Sequence, residues 1–451
     1  MRSYSLPSLA FCALLFCFGC TPNTLYRQHF SLCHADKEDC SNNSVIQYAQ
    51  GSAREFYLGF TEFDDQGQVY TRDQLDGLIQ TYTELAGEED IILSVFVHGW
   101  HHTAKAGDTN IESYQKLLGD IAANENAMAP LLNRKPRKVL GVYLGWRGES
   151  LTTPVIHHLT FWDRKKVAHE VGLQGVTEVL VKLEQIVNVQ NTRTPMHDSR
   201  MVSIGHSFGG AVLFTSLQQL MVDRFFDSQP GRSYQGDARG FGDLVLLINP
   251  AFEAMRYSTL FDVAQDHCRR YFSSQMPRLL ILTSEGDDAT GTAFPVGRFF
   301  STLFESHKSL ARHECVNGSP RVRNIRESSA DRIAVGHFTP FHSHVMKPQD
   351  KIFGGDTMAQ LLNLQLQWQA QEDKSTLDFS RVKLTHLGIT TPFNPYLNVY
   401  VDKKIIPDHN DIWGEALTRF IQEMVLVTTN NEATMRAGLA PSAAQPEVTT
   451  P

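Results

Sequence analysis

The feature that most constrains the fold is a repeated alternation of short apolar runs with amphipathic helical segments. Most of the runs are apolar throughout, as in strands that are covered on both faces. Strand, helix, strand repetition requires right-handed crossovers, so the sequence predicts an α/β fold whose mostly parallel central sheet is flanked by helices. Helices are predicted at 164–187 and 211–222. The predicted strands are 55–60, 91–97, 138–145, 200–204, 243–248, 278–282 and 396–401.

Composition narrows the possible partners. The chain has 451 residues, of which 42% are hydrophobic and 20% charged, so it can bury a large core. Its 41 basic and 49 acidic side chains give a formal net charge of −8, and no run of Lys or Arg is present. A phosphate backbone is usually met by a basic face, so the balance argues against a nucleic-acid partner.

Residues 1–19 predict an export signal. Arg2 is the only charge before the apolar stretch 6–19, which is too short to span a membrane and has the length of a signal-peptide core. The stretch ends in "LLFCFGC", which resembles a bacterial lipoprotein signal. The resemblance implies a diacylglycerol on Cys20 and an exported protein anchored to a membrane of the bacterial cell envelope. A plain secretory signal is the alternative.

Four cysteines remain after such a signal, an even number that suits an oxidising compartment. We expect a bridge between Cys33 and Cys40, which lie close in sequence. For Cys268 and Cys315, a second bridge and two buried thiols remain equally open.

The stretch "VSIGHSFGGAV" (202–212) places a serine between a predicted strand and a predicted helix. Gly205 and Gly209 flank Ser207 at a turn so tight that larger residues would clash, and the turn lifts the hydroxyl to the carboxyl end of the strand. The segment resembles the nucleophile elbow of the α/β-hydrolase fold serine esterases and lipases, and the resemblance extends over 55–427. It implies a hydrolase that cleaves carboxylic esters through an acyl-enzyme, with no metal or organic cofactor.

In this family the acid and the histidine follow the serine along the chain. The strand-to-loop segment "RLLILTSEGDDATG" (278–291) supplies the acid, for which we choose Asp287 over its neighbour Asp288. His409 follows the last predicted strand and is the predicted base. His344 is the alternative.

Acyl transfer also needs donors for the developing oxyanion, normally two backbone N–H groups. One is predicted from Phe208, the residue after the serine. The other is predicted from Trp100 in "SVFVHGWHH" (94–102), which resembles the HGX-type oxyanion loop of the family. We interpret His98 as holding this loop. The aromatic residues expected near the site favour a small-molecule or lipid ester as substrate; they are Trp100, Trp146, Phe161, Trp162, Phe208 and Phe252.

The expected domain organisation has four parts. After the signal come a polar linker at 20–52 and a catalytic domain at 53–428. Within the domain, 289–394 is too long for a simple connection and predicts a cap insertion before the last strand, with a helix at 358–371 over the pocket. Residues 429–451 are rich in Ala, Pro and Thr and predict a disordered tail.

Two other functions fit parts of the sequence. A metal-dependent hydrolase would use the cluster His337, His342 and His344, because histidines two apart can chelate zinc on a strand. A non-catalytic envelope binding protein could share the hydrolase fold, because fold alone does not guarantee chemistry.

Overall fold

The computed structural model describes residues 23–148, 157–193, 197–231, 234–302, 305–349 and 357–430. Fourteen strands are found in these ranges. They are β1 (His29–His34), β2 (Asn43–Tyr48), β3 (Phe56–Phe63), β4 (Ile91–Val97), β5 (Lys138–Trp146), β6 (Arg200–His206), β7 (Leu244–Ile248), β8 (Leu279–Ser284), β9 (Ser309–Val316), β10 (Ser319–Arg326), β11 (His344–Pro348), β12 (Thr376–Asp378), β13 (Val382–His386) and β14 (Tyr396–Val401).

The same ranges contain ten α-helices. They are α1 (Arg72–Glu88), α2 (Thr109–Met128), α3 (His157–Leu173), α4 (Gly175–Asn191), α5 (Phe208–Ser228), α6 (Ala254–Gln265), α7 (Phe294–Ser301), α8 (Glu327–Arg332), α9 (Thr357–Gln369) and α10 (Glu415–Thr429). Among the residues that the structure describes, no helix has the length and apolar character needed to cross a membrane.

Twelve of the strands form one sheet in the order β1-β2-β3-β5-β4-β6-β7-β8-β14-β11-β13-β12, while β9 and β10 form a separate antiparallel hairpin. Neighbours from β3 across to β11 are all parallel, whereas β2 runs antiparallel to β3, and β13 to both β11 and β12. The predicted α/β class with a mostly parallel central sheet flanked by helices is therefore confirmed.

The core lies on both faces of this sheet. Along β4, Leu93 and Val95 pack into one buried cluster, whereas Ile92 and Phe96 pack into the other. Successive side chains of a strand point to opposite faces, so a strand covered on both sides favours apolar residues at nearly every position. This is why the central strands read as uninterrupted apolar runs.

The linker predicted over 20–52 is wrong for much of the part that the structure describes. Residues 29–34 form edge strand β1, and 43–48 form β2, which pairs with β3. Strand β1 alternates exposed and less exposed positions, so its composition looks polar although it is part of the sheet. The signal 1–19 and Cys20 lie outside the described residues.

The expected cap at 289–394 also needs correction. Strands β11, β12 and β13 lie within this stretch and extend the central sheet beyond β14. Helix α9, predicted at 358–371 to cover the pocket, buries Leu361 and Trp368 in the same core cluster as Phe420 of α10. An apolar stripe shows that a helix face is buried, but not which element buries it. Of the tail predicted at 429–451, Thr429 ends α10, and 431–451 lie outside the described residues.

Two disulfides cross-link the part of the chain that the structure describes. Cys33 is bonded to Cys40, as expected, with their Cα atoms 5.8 Å apart. Cys268 is bonded to Cys315, with a Cα–Cα distance of 5.1 Å, which decides between the two alternatives left open by the sequence. The second bridge fastens the β9–β10 hairpin to the segment that follows α6.

Candidate active site

Ser207 lies between β6 and α5 with φ 55° and ψ −120°, a backbone conformation that residues other than glycine rarely adopt. Its N–H donates to the carbonyl of Ile248 at 3.0 Å, and its carbonyl accepts from the N–H of Ala251 at 3.1 Å. These bonds tie the turn to the end of β7. The surrounding backbone therefore holds the strained geometry in place.

Glycines are needed on both sides of this serine because other backbone segments approach too closely for a side chain. A Cβ atom on Gly205 would lie 2.8 Å from the carbonyl oxygen of Gly209. A Cβ atom on Gly209 would lie 2.0 Å from the carbonyl oxygen of Val97 at the end of β4. The spacing in "GHSFG" is thus a packing requirement of the strand-to-helix turn.

The structure brings together the three residues that the sequence singles out. Nε2 of His409 lies 2.7 Å from Oγ of Ser207, and Nδ1 lies 2.8 Å from Oδ1 of Asp287. With Nδ1–H donating to the carboxylate, Nε2 is free to accept the serine hydroxyl proton. The Asp287 side chain is wholly buried, whereas that of His409 is 16% exposed. We call this hydrogen-bonded chain the Ser–His–Asp array.

Asp287 is held by groups that stabilise its charged form. Thr290 donates its backbone N–H to Oδ1 at 3.0 Å and its hydroxyl to Oδ2, and His337 Nε2 in turn donates to the Thr290 hydroxyl oxygen at 3.0 Å. Burial alone would raise the pKa of Asp287, but His409 and the hydrogen bonds from Thr290 outweigh it and lower the pKa below its ordinary value. The carboxylate is therefore ionised at neutral pH.

Two residues that sequence reasoning missed hold the loop that carries His409. His206 Nε2 donates to the backbone carbonyl of His409 at 2.9 Å, and Nδ2 of Asn249 donates to the same oxygen at 3.0 Å. Asn249 also accepts from the N–H of Ser284 at 2.9 Å, which links the ends of β7 and β8. Their one sequence signal is position: His206 directly precedes the serine, and Asn249 directly follows β7.

His98 holds the loop after β4, as interpreted from the sequence. Its Nδ1 donates to the carbonyl of Gly99 at 2.9 Å, and its Nε2 accepts from the backbone N–H of Trp146 at 3.1 Å. The ring is buried, stacks on Trp146, and has its pKa lowered to about 4 by burial. His98 is therefore neutral at physiological pH and acts as a fixed donor and acceptor.

This loop lies directly against the serine. A Cβ atom on Gly99 would lie 2.9 Å from Cβ of Ser207 and 3.0 Å from Nδ1 of His206. Trp100 is the next residue along the loop, and Phe208 begins α5 immediately after the serine. The structure thus brings both predicted oxyanion-donor segments alongside Ser207. The donor roles of the Trp100 and Phe208 amides stay predictions.

The structure distinguishes the first choices for acid and base from their alternatives. The carboxylate bonded to His409 belongs to Asp287 and not to its neighbour Asp288. His344 lies buried in β11, with Nδ1 2.9 Å from Oγ of Ser343 and its ring against His386.

The three histidines of the alternative metal site do not converge. His337 bonds to Thr290, His342 to the carbonyl of Gly336 at 2.8 Å, and His344 to Ser343. Within the described ranges, two other groups could offer three ligands to a metal. They are Cys33, Glu38 and Cys40, whose cysteines form a disulfide, and Glu305, His307 and Asp331.

Several aromatic residues expected near the pocket belong to the core. Phe208 and Phe252 are 0% exposed, and Phe252 stacks on Phe214 with ring centroids 4.3 Å apart. Trp146 is 3% exposed and packs against His98. The position of an aromatic residue at the end of a strand does not show whether its side chain lines a pocket or packs into the core. The side chains of Phe161 and Trp162 lie outside the described part of the molecule.

No protein-family model matches this chain, and no curated protein matches it in sequence. The class that the structure defines is an α/β protein with a large, mostly parallel sheet flanked by helices. The carboxyl edge of that sheet carries the Ser–His–Asp array.

Proposed function

We propose that the protein is a serine hydrolase that cleaves carboxylic esters through an acyl-enzyme intermediate. The observation that carries the proposal is the continuous hydrogen-bonded chain from Ser207 Oγ through His409 to Asp287, at 2.7 and 2.8 Å. A buried serine in a strained turn has no packing advantage over glycine, whereas an activated nucleophile needs a neighbouring base that a third group orients.

The members of the array have distinct roles in the reaction. His409 accepts the hydroxyl proton as Ser207 Oγ attacks the acyl carbon, and it then protonates the departing alcohol. Asp287 keeps the imidazole in the Nδ1–H tautomer and stabilises its positive charge. In the second half, His409 takes a proton from water, whose oxygen attacks the acyl carbon. As the bond between that carbon and Ser207 Oγ breaks, His409 returns the proton to Oγ and the acid is released. The reaction consumes one ester and one water and regenerates the serine.

We assign the role of stabilising the oxyanion in both tetrahedral intermediates to the backbone N–H groups of Trp100 and Phe208. Support comes from the loop at Gly99, which packs on Ser207, and from the position of Phe208 as the first residue of α5. The dipole of a helix favours negative charge at its N-terminus. Each lost oxyanion donor costs roughly 10²- to 10³-fold in kcat.

We assign the α/β-hydrolase fold on the placement of these residues. The serine follows β6 and the acid follows β8, the second strand after it along the chain, while the histidine follows β14, the last strand among the described residues. In this assignment the cap is shorter than expected. It consists of 289–343, which contains α7, α8 and the β9–β10 hairpin.

The cellular location belongs to the same proposal. Export followed by diacylglycerol attachment at Cys20 would place the protein on a membrane of the bacterial cell envelope. The two disulfides support an oxidising compartment, because reducing conditions in the cytosol keep thiols free.

The test combines a mechanism-based label with a set of soluble substrates. A fluorophosphonate is expected to label the protein at Ser207, and p-nitrophenyl esters of graded acyl length are expected to be hydrolysed. Ser207→Ala abolishes both signals, while Ser31→Ala, an exposed serine on β1, leaves both unchanged. Ester hydrolysis that persists in Ser207→Ala, or that a chelator abolishes while Ser207 stays unlabelled, would overturn the proposal.

A further inference from the structure

The first described residues of the chain lie at the carboxyl ends of the parallel strands, the edge of the sheet that carries the Ser–His–Asp array. The backbone N–H groups of Tyr26 and Arg27 donate to the two carboxylate oxygens of Glu62 at 2.9 and 2.8 Å. Glu62 is the next-to-last residue of β3. Because β3 is parallel to the strands that precede the site residues, its carboxyl end lies at the same edge.

Arg27 fixes this entry point. Its side chain is almost fully buried, donates from Nε to the carbonyl of Ala104 at 2.9 Å, and stacks over the ring of Phe60. Ala104 belongs to the same loop as Gly99, which packs on Ser207. The first described residues of the chain are therefore fastened to the loop assigned to the oxyanion.

Simple chain geometry limits how far a lipid on Cys20 can be from Ser207. Two residues lie between Cys20 and Asn23, and the three chain steps that join them span at most ~11 Å. Two strands, β5 and β4, lie between β3 and β6, which adds a lateral distance of ~15 Å. The opposite edge is further away by the length of the strands, ~30 Å for the longest strand β5. A lipid anchor would therefore hold the site edge close to the bilayer and the other edge away from it.

An exposed apolar surface lies at the same edge. Helix α7 follows the Asp287 loop, and its Arg298 reaches Glu253 Oε1 at 3.0 Å, just beyond the end of β7. On the same helix, the side chains of Val296 and Phe299 are 57% and 46% exposed, and one face of the Phe299 ring is covered by the guanidinium of Arg332 at 4.9 Å. When the chain is anchored to a membrane beside this surface, the bilayer can cover its apolar side chains.

We propose that the Ser–His–Asp array faces the membrane and that its substrate is an acyl ester held in a bilayer. This inference rests on the serine hydrolase function and on lipid attachment at Cys20. It deepens that function by assigning the substrate class, since an anchored site within a few nanometres of the bilayer meets lipid esters at far higher local concentration than soluble ones.

The orientation can be measured on the native chain purified from membranes, with the lipid confirmed by mass spectrometry. The protein is reconstituted into phosphatidylethanolamine–phosphatidylglycerol vesicles that carry a headgroup acceptor dye. A fluorescent fluorophosphonate places the donor at Ser207, and a maleimide donor on Lys135→Cys marks the opposite edge, since Lys135 is exposed in the loop before β5. Energy transfer from position 207 is expected to exceed transfer from position 135.

The outcomes separate the two proposals. Absence of fluorophosphonate labelling would contradict the hydrolase function itself. A labelled protein that transfers less energy from position 207 than from 135, or that carries no lipid, would overturn the orientation alone.

A matched pair of variants tests the substrate class. Val296→Asp adds a charge to the α7 surface, and Val189→Asp adds one to α4, where Val189 is 49% exposed near the opposite edge. Val296→Asp is expected to lower turnover of a fluorogenic long-chain ester in the vesicles by roughly three- to tenfold, the effect of losing the burial of about half of one valine side chain. Turnover of soluble p-nitrophenyl acetate stays unchanged in both. Equal effects of the two variants on the vesicle ester would refute the proposed membrane contact.

Discussion

The imidazole of His206 donates a hydrogen bond from Nε2 to the backbone carbonyl of His409 at 2.9 Å. The residue that precedes the nucleophile thus holds the loop that carries the proposed base. The rings of the two histidines lie 5.2 Å apart, and Asn249 donates to the same carbonyl oxygen. The position of the His409 imidazole relative to Ser207 therefore depends on these two hydrogen bonds to the backbone of His409.

The first prediction concerns this contact. His206→Leu removes the donor and leaves Asn249 alone on the His409 carbonyl, so the imidazole should be less well positioned. We expect kcat for p-nitrophenyl esters to fall ~10- to 100-fold with little change in KM, because small misplacements of a base are costly. Burial lowers the pKa of His206 to about 3, so the shape of the pH profile above pH 5 should not change.

The control for this variant is His386→Leu, which alters another buried histidine, on β13, that bonds to Thr390. Thermal unfolding of both variants measures any loss of stability, and kcat of the folded His386→Leu protein should remain normal. A wild-type kcat in His206→Leu would show that Asn249 alone positions the loop.

The second prediction separates backbone strain from side-chain chemistry at Ser207. Both Ser207→Ala and Ser207→Gly remove the hydroxyl, but φ 55° with ψ −120° is strained for alanine and not for glycine. The relief of backbone strain outweighs the greater entropy of glycine in the unfolded chain. The free energy of unfolding of Ser207→Gly should therefore exceed that of Ser207→Ala by about 1 kcal/mol. Urea unfolding of the two inactive variants measures the difference. An alanine variant as stable as the glycine variant would mean that the turn carries no strain.

The sequence predicts the parallel sheet and the three members of the array because each is marked locally. An apolar run marks each central strand, and Ser207, Asp287 and His409 each follow closely on such a run. Carboxyl ends of parallel strands meet at one edge, so residues that follow these strands converge without any knowledge of their contacts.

Other features depend on contacts that local patterns do not encode. The hydrogen bond from His206 to His409 joins positions 203 residues apart, and no local sequence pattern near either histidine predicts it. Strand β1 is partly exposed and its composition resembles a linker. Trp146 and Phe252 were expected at the pocket because they follow strands, yet the direction of each side chain places them in the core.

The third prediction concerns the support of the acid. Thr290→Val removes the hydroxyl that donates to Oδ2 of Asp287 and keeps the shape of the side chain. Loss of a hydrogen bond to the charged form raises the pKa of Asp287 and costs about 2 kcal/mol of stability at neutral pH. The wild-type pKa is lowered, so this stability is present above the unfolded pKa and is lost as pH falls through the folded pKa. The difference in unfolding free energy between wild type and Thr290→Val, measured with urea, should therefore become smaller at acidic pH.

The matched control for Thr290→Val is Thr283→Val on β8. Among the residues that the structure describes, the buried Thr283 hydroxyl has no hydrogen-bond partner, so replacing it by a methyl group should leave ester hydrolysis unchanged. In Thr290→Val we expect kcat/KM to fall by roughly tenfold at neutral pH, because a less firmly held Asp287 orients His409 less well. A variant with wild-type kcat/KM and an unchanged pH dependence of stability would refute the role of this hydroxyl.

The fourth prediction concerns a buried ion cluster far from the array. Glu125 of α2 accepts from Arg137 and Arg134, with Nη2 of each guanidinium 3.0 Å from Oε2, and the Glu125 side chain is 0% exposed. Burial alone would raise the pKa of Glu125, but the two arginines outweigh it and lower the pKa from about 4.5 to about 2. Arg137 also donates to the carbonyl of Thr429, so the cluster joins α2 to the end of α10.

The sign of the pH effect follows from the lowered pKa. The cluster stabilises the fold fully above pH 4.5 and loses that contribution as pH falls toward 2, by about 3 kcal/mol in all. Glu125→Gln removes the titrating group and leaves two arginines without their anion, so it should be less stable at pH 7 by about 3 kcal/mol or more. Its unfolding free energy should then fall less steeply than that of the wild type between pH 4.5 and 2. The unfolding free energies of wild type and Glu125→Gln are measured with urea across this pH range. If they fall with the same slope, Glu125 does not couple folding to protonation.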